Sequence, residues 1–168
     1  MTLLYGTTVT LRPVVEDDIE RLTQILNEPE VAQWWPRYDS KRIHQELIEG
    51  SHVAAFAVVA EDDVVGCVQY HEETARDYRH ATIDVFLDPA WHGKGLGTDA
   101  VRTLARHLIY DKGHHRLAID PAVANEKAIR TYRRVGFQPV GVMREYERNS
   151  NGEWQGGLLM DLLKRDLH

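Results

Sequence analysis

The chain has 168 residues, long enough to bury a real core in one domain, and its 43% hydrophobic and 27% charged content is that of an ordinary globular protein. A net charge of −6 disfavours a nucleic-acid backbone as the main partner, and the longest unbroken apolar run, Val53 to Ala60, is far too short to span a membrane. The lone cysteine, Cys67, excludes an internal disulfide framework, and with no basic leader at the start the expected compartment is the cytoplasm.

Thr8 to Val14 alternates and reads as a strand; Asp17 or Asp18 then caps a helix with Ile19, Leu22, Ile25 and Leu26 on one face, limited by Pro29. The stretch from Val31 to Ser40 is a loop or a short second helix, and a further helix covers Lys41 to Glu49. Val53 to Ala60 and Val64 to Tyr70 form a hairpin around the acidic turn at residues 61–63. Ala81 to Leu87 is another strand, stopped by Asp88-Pro89. From Gly95 onward Leu96, Ala100, Val101, Leu104, Leu108 and Ile109 recur at three- and four-residue steps, which predicts a helix with one buried face, ended by Gly113.

Arg116 to Asp120 is a short strand, and Asn125 caps a helix that Gly136 terminates. Val140 to Glu147 and Leu158 to Leu163 are strands around a turn marked by Asn151-Gly152. The predicted fold is α+β: a mostly antiparallel sheet with flanking helices and one central β-α-β crossover, all in a single domain over residues 1–168.

The glycine-rich turn His92-Gly93-Lys94-Gly95-Leu96-Gly97-Thr98 opens straight into a helix. Successive amides, the unpaired N–H groups of a first helical turn and the positive dipole end together suit a phosphate group, and glycine lets it approach without a Cβ in the way. A nucleotide P-loop is excluded, because no lysine followed by Ser or Thr occurs at the required spacing. Gly95, Gly97 and Ala100 satisfy the dinucleotide fingerprint, with Asp120 at a strand end further on. Against that reading, residues 88–94 separate the strand from the first glycine, and only one crossover is present where several βαβ units are needed. The third candidate is the pyrophosphate of coenzyme A.

Here the sequence resembles the GNAT N-acetyltransferases. Residues 92–98 look like their acyl-CoA signature [QR]-x-x-G-x-[GA], with His92 in place of the usual Gln or Arg, and Asn125 to Phe137 looks like their N-x-x-A-x-x-x-Y-x-x-x-G-F signature. A narrower resemblance, carried by Ile25 to Trp35, residues 93–98, Ile119 to Pro121 and Asn125 to Tyr132, is to aminoglycoside 6'-N-acetyltransferases.

The resemblance implies acetyl-CoA as acyl donor. His92, Gly93, Lys94, Gly95, Leu96, Gly97 and Thr98 would meet its pyrophosphate, Val85, Phe86 and Leu87 its pantetheine arm, and Asn125 and Ala128 the same arm from the later helix. Lys94, Arg133 and Arg134 would reach the CoA phosphates, although the two arginines read more readily as exposed helix-face charges. Tyr132 would act as general acid beside the sulfur, or else is a core tyrosine.

Acetyl transfer to an amine needs a base, since an alkyl ammonium with a pKa near 10.4 is neutral only about once in 2,500 molecules at pH 7. Asp84, an acid interrupting an apolar strand, is the candidate; the alternative is a solvent-side carboxylate on an edge strand. Glu72 and Glu73 are reserves, more readily read as exposed. Trp34, Trp35, Gln69, Tyr70 and Asp120 are candidate substrate-wall residues, with one tryptophan expected as a core anchor.

The nine histidines form no metal-ligand pattern, so no metal is expected, and no serine or cysteine nucleophile context appears, which favours direct transfer. Residues 1–90 carry 17 acidic and 7 basic side chains and residues 91–168 carry 9 and 13. This division fits two solvated surfaces, or an acidic half that meets a cationic amine and a basic half that meets phosphates. The expected partner is a small cationic amine, with no nucleic acid and no membrane; a homodimer is compatible with the sequence. The expected function is aminoglycoside 6'-N-acetylation. The alternatives are acetylation of a polyamine, a siderophore precursor or a protein N-terminus, and a non-catalytic acyl-CoA sensor.

Overall fold

The computed structural model describes residues 2–36, 38–50 and 52–168; Arg37, within the segment read as a loop or short helix, lies outside them. Among the described residues, eight strands join one sheet: β1 (Leu4–Tyr5), β2 (Thr10–Pro13), β3 (Ala54–Ala60), β4 (Asp63–Glu73), β5 (His80–Leu87), β6 (Arg116–Ile119), β7 (Gln138–Arg148) and β8 (Trp154–Leu163). Their order is β1-β2-β3-β4-β5-β6-β8-β7, antiparallel except for β5 and β6. The helices are α1 (Ile19–Leu26), α2 (Pro29–Ala32), α3 (Ser40–Ile43, continued by a π-helix over His44–Glu49), α4 (Leu96–Arg106) and α5 (Glu126–Val135). None is long and apolar enough to cross a membrane.

Local chemistry accounts for the connections. Glu61 and Asp62 both adopt left-handed backbone angles, φ 50° and 68°, the geometry of a two-residue hairpin turn, and β3 and β4 pair outward from it. Asp18 holds the N-cap position of α1, as expected, but its side chain makes no capping bond to that helix. Its two oxygens take the Arg12 guanidinium at 2.8 Å each, and one also accepts from the Val15 amide at 2.9 Å. Pro29 opens α2 at its first turn, where its missing N–H costs nothing. β4 runs past Tyr70 to Glu73, which places Glu72 beside His114 Nε2 at 2.5 Å and Lys112 Nζ at 3.1 Å. Burial works against its charge, but these two partners win and hold the Glu72 carboxyl below the usual range, so it is a structural ion-pair member rather than an exposed reserve base.

Alternation along the central strands sends neighbouring residues to opposite faces. Val68, Tyr70, Ile83, Leu87, Leu117 and Ile119 share a core with Leu104 and Leu108 of the α4 side and Tyr132 and Val135 of α5. Cys67 and Phe86 pack on the other face against Leu22, Ile25, Val31 and Ile43 from α1–α3. Each fully buried aliphatic side chain contributes about 1.5–3 kcal/mol from removal of apolar surface. The feature that matters for chemistry is where the sheet stops being continuous. β5 and β6 pair only at Ala81–Leu117 and Thr82–Ala118, then diverge.

Candidate active site

A cavity of about 700 Å³ occupies the gap where β5 and β6 part. It is reached from both faces of the sheet. Asp84 comes from the α1–α3 side, while Tyr132 comes from the core under α4 and α5, and both line the cavity. Beyond Thr82 the β6-facing edge of β5 has no strand partner, so the backbone of Val85, Phe86 and Leu87, which also lines the cavity, is open to an extended ligand.

The glycine turn forms one end. Gly93 and Gly95 sit at φ 78° and 80°, where any other side chain would be strained. Gly95 is the N-terminal cap of α4 and brings no side-chain acceptor, so the amides of Leu96, Gly97 and Thr98 are left without a side-chain cap at the positive end of the helix. His92 Nε2 lies 3.1 Å from the Leu87 carbonyl and ties the turn back to the end of β5.

Lys94 is a correction to the expected set. Its Nζ stacks over the Trp91 ring, 4.8 Å from the centroid, and it is not part of the cavity wall. The cations there are Lys127, Arg130 and Arg134, one stripe of α5, whereas Arg133 faces elsewhere. The three-and-four-residue spacing of that stripe is the signal in the sequence that places the three on one helix face. Asn125 Oδ1 accepts from the Ala128 amide at 3.3 Å, so it caps α5 as expected, and both residues line the cavity.

Opposite the turn, three carboxylates converge: Asp84 from β5, Asp120 just past β6, and Glu147 from β7. Burial, and then the negative charges of Asp120 and Glu147, push the Asp84 carboxyl up to about 7. Asp120 is raised by burial even though the Tyr146 hydroxyl donates to it, and Glu147 is raised by burial and by Asp120. Tyr132 keeps its proton firmly, because burial and the charges of Asp84 and Asp120 all disfavour a phenolate. No hydrogen bond among the described residues uses its hydroxyl. Glu147 and Tyr146 were not expected; they lie on a strand with no periodic signal that would direct them to a site.

The tryptophan pair divides its work. Trp35 packs edge-to-face on Phe86 at 5.1 Å and on Tyr38 at 5.7 Å between the centroids, anchoring the α2–α3 segment to β5, and both Trp34 and Trp35 line the cavity. Tyr70 does not. It points to the opposite face and stacks on Phe56, so it is a core residue. Gln69 also lies outside the wall, directly opposite Asp84 in the ladder. Among the described residues, no group of three or more His, Cys, Asp or Glu side chains is placed to hold a metal ion.

The acetyltransferase (GNAT) domain family matches residues 8–138. The aminoglycoside N(6')-acetyltransferase type 1 of Klebsiella pneumoniae is 28% identical over 155 residues, covering 80% of this chain and 76% of that protein. The spermidine N(1)-acetyltransferase of Escherichia coli K12 is 25% identical over 158 residues, covering 90% and 84%. In fold, the ribosomal L7/L12 α-N-protein acetyltransferase RimL, solved in complex with coenzyme A, superposes with a TM-score of 0.84 at 19% identity, over 96% of this chain and 98% of that one.

Proposed function

The chain belongs to the GNAT acetyltransferase family, and from that premise we propose that it moves the acetyl group of acetyl-CoA directly onto a primary amine of a small polycation, the 6'-amine of an aminoglycoside. The observation that carries this reading is the trio Asp84, Asp120 and Glu147 around one cavity. Three mutually repelling carboxylates, each partly withdrawn from water around one cavity, are costly unless cations arrive to offset them. Trp34 and Trp35 favour a ring-bearing substrate over a linear one, since a flat indole offers its face to a sugar ring.

The donor fits the other end. The left-handed glycines and the uncapped α4 amides suit a pyrophosphate, the α5 cations suit further phosphates, and the open β5 edge suits the amides of a pantetheine arm. Acetyl-CoA supplies an activated thioester there. Asp84 takes a proton from the ammonium, which frees the nitrogen lone pair for attack, and the Tyr132 hydroxyl stands ready to donate to the departing sulfur. Arranging both reactants in line supplies much of the remaining acceleration.

Neutralising the α5 stripe tests the donor end. K127A, R130A and R134A are each expected to weaken CoA binding about fivefold, the effect of roughly 1 kcal/mol per solvated charge contact, and to flatten its salt dependence, as read by titration calorimetry. Unaltered affinity and salt dependence in the triple variant would move the phosphates off α5.

The acceptor is tested by thiol release from acetyl-CoA against kanamycin-type aminoglycosides with and without a 6'-amine, spermidine, and a short peptide. Turnover that requires the 6'-amine is expected. Turnover on spermidine or peptide alone would keep the donor site and remove the aminoglycoside reading.

A further inference from the structure

Gln69 of β4 stands directly opposite Asp84 of β5 in the antiparallel ladder, so both side chains leave the same face with their Cβ atoms roughly 4.5–5.5 Å apart. Its amide oxygen, Oε1, is fully buried and has no donor among the described residues. A buried carbonyl without a donor is an expensive arrangement that a folded protein rarely tolerates unless some state of its cycle supplies one.

The groups facing this pair narrow the choice of donor. Cys67 and His71 flank Gln69 along β4, and Thr82 and Phe86 flank Asp84 along β5. From the helical layer comes Tyr38, whose hydroxyl is committed to Glu46 at 3.0 Å. Asp120 and Glu147 approach from β6 and β7, and the Tyr146 hydroxyl is committed to Asp120. Tyr132 reaches the cavity from the other side of the sheet. His71 is exposed and makes no bond to Oε1, and the Cys67 thiol is a weak donor within the core. The strong donor this arrangement lacks is the O–H of a protonated Asp84.

We propose that Gln69 is a positioning residue for Asp84, its amide oxygen accepting the O–H that Asp84 acquires when it takes the proton of the incoming ammonium. This rests on Asp84 being the base of the proposed reaction. The ionised carboxylate leaves Oε1 unpartnered, and proton transfer completes the bond, so the hydrogen bond favours the step that activates the amine. The remaining atoms balance as follows: the freed amine forms a C–N bond to the acetyl carbon, the C–S bond breaks, and Tyr132 protonates the sulfur. The second proton shed by the nitrogen replaces the one Tyr132 gave, and the first leaves Asp84 for solvent.

The test is the titration of the Asp84 carboxyl, followed by its ¹³C resonance in the ligand-free protein and assigned by the loss of that resonance in D84N. Shortening the partner in Q69N, or removing its reach in Q69S should Q69N fail to fold, is expected to lower the Asp84 midpoint by about one pH unit, because the protonated form has lost its acceptor. The acid limb of kcat/KM should move down with it, while CoA binding is unchanged. A midpoint that stays in place overturns the proposal. So does one that rises, because the amide would then be donating its N–H to the ionised carboxylate. Full activity in D84N would instead remove the base assignment, an outcome separate from the titration, which needs no turnover.

Discussion

Asp84→Asn is expected to lower kcat by about a hundredfold to ten-thousandfold, the usual contribution of a positioned general base, while making the fold more stable. The amide keeps the shape of the carboxylate and cannot accept the proton. The wild-type enzyme should show kcat/KM rising with pH through about 7, as Asp84 ionises from a value far above that of an ordinary aspartate. D84N should lack that limb and recover only as the amine itself loses its proton at alkaline pH.

The stability effect has the opposite sign. A carboxyl raised in the folded state binds its proton more tightly folded than unfolded. The fold therefore carries no penalty below the unfolded value of about 3.9, loses stability as pH rises through the window up to about 7, and bears the full penalty above it. A displacement of about three units corresponds to at most about 4 kcal/mol. D84N should accordingly melt higher than wild type near pH 8 and at the same temperature near pH 4. A variant less stable than wild type near pH 8 would contradict the burial-and-repulsion account of the trio.

Asp99→Ala is expected to cost about 3–5 kcal/mol of stability, read as a lower urea midpoint. Asp99, in the first turn of α4, is buried and accepts from the amides of Thr7, Thr8 and Val9 at 3.0, 2.7 and 3.0 Å, and from the Thr8 hydroxyl at 3.0 Å. One side chain thus pins the β1–β2 connection onto the helix that begins at the glycine turn. Its removal leaves three backbone donors without an acceptor and takes a favourable negative charge from a helix N-terminus.

Burial opposes ionisation of Asp99, but the bonds from Thr8, Thr7 and Val9 prevail and hold it below the usual range. Its contribution is therefore present above about pH 3.9 and is lost as pH falls through the lower folded value. The wild-type and D99A unfolding curves should converge in acid. A difference in midpoint worth less than about 0.5 kcal/mol at neutral pH would show that water replaces the carboxylate at no cost.

The charge division along the chain shows how a composition argument can half succeed. The basic C-terminal half does supply the cavity's cations, Lys127, Arg130 and Arg134, but two of its three convergent carboxylates, Asp120 and Glu147, come from that same half. Net charge over a stretch of sequence says nothing about which few side chains face one cavity.

The sequence by itself determined whatever depends on neighbours a few residues apart. The apolar spacing of α4 and α5, the hairpin turn at Glu61-Asp62, the cap at Asn125 and the left-handed glycines at 93 and 95 are local demands of backbone geometry, legible without any partner. The two family signatures were legible for the same reason, since each occupies one turn and its adjoining helix. The tertiary structure decided which strands are neighbours and which face each residue takes.

β8 inserts between β6 and β7, and Glu147 of β7 joins the lining of the cavity where β5 and β6 part. Gln69 and Tyr70, adjacent in sequence, separate into a partner for Asp84 and a core residue because alternation in a strand sends them to opposite faces. Strand order and face are chosen by the burial of the whole core, an energy summed over residues far apart in the chain.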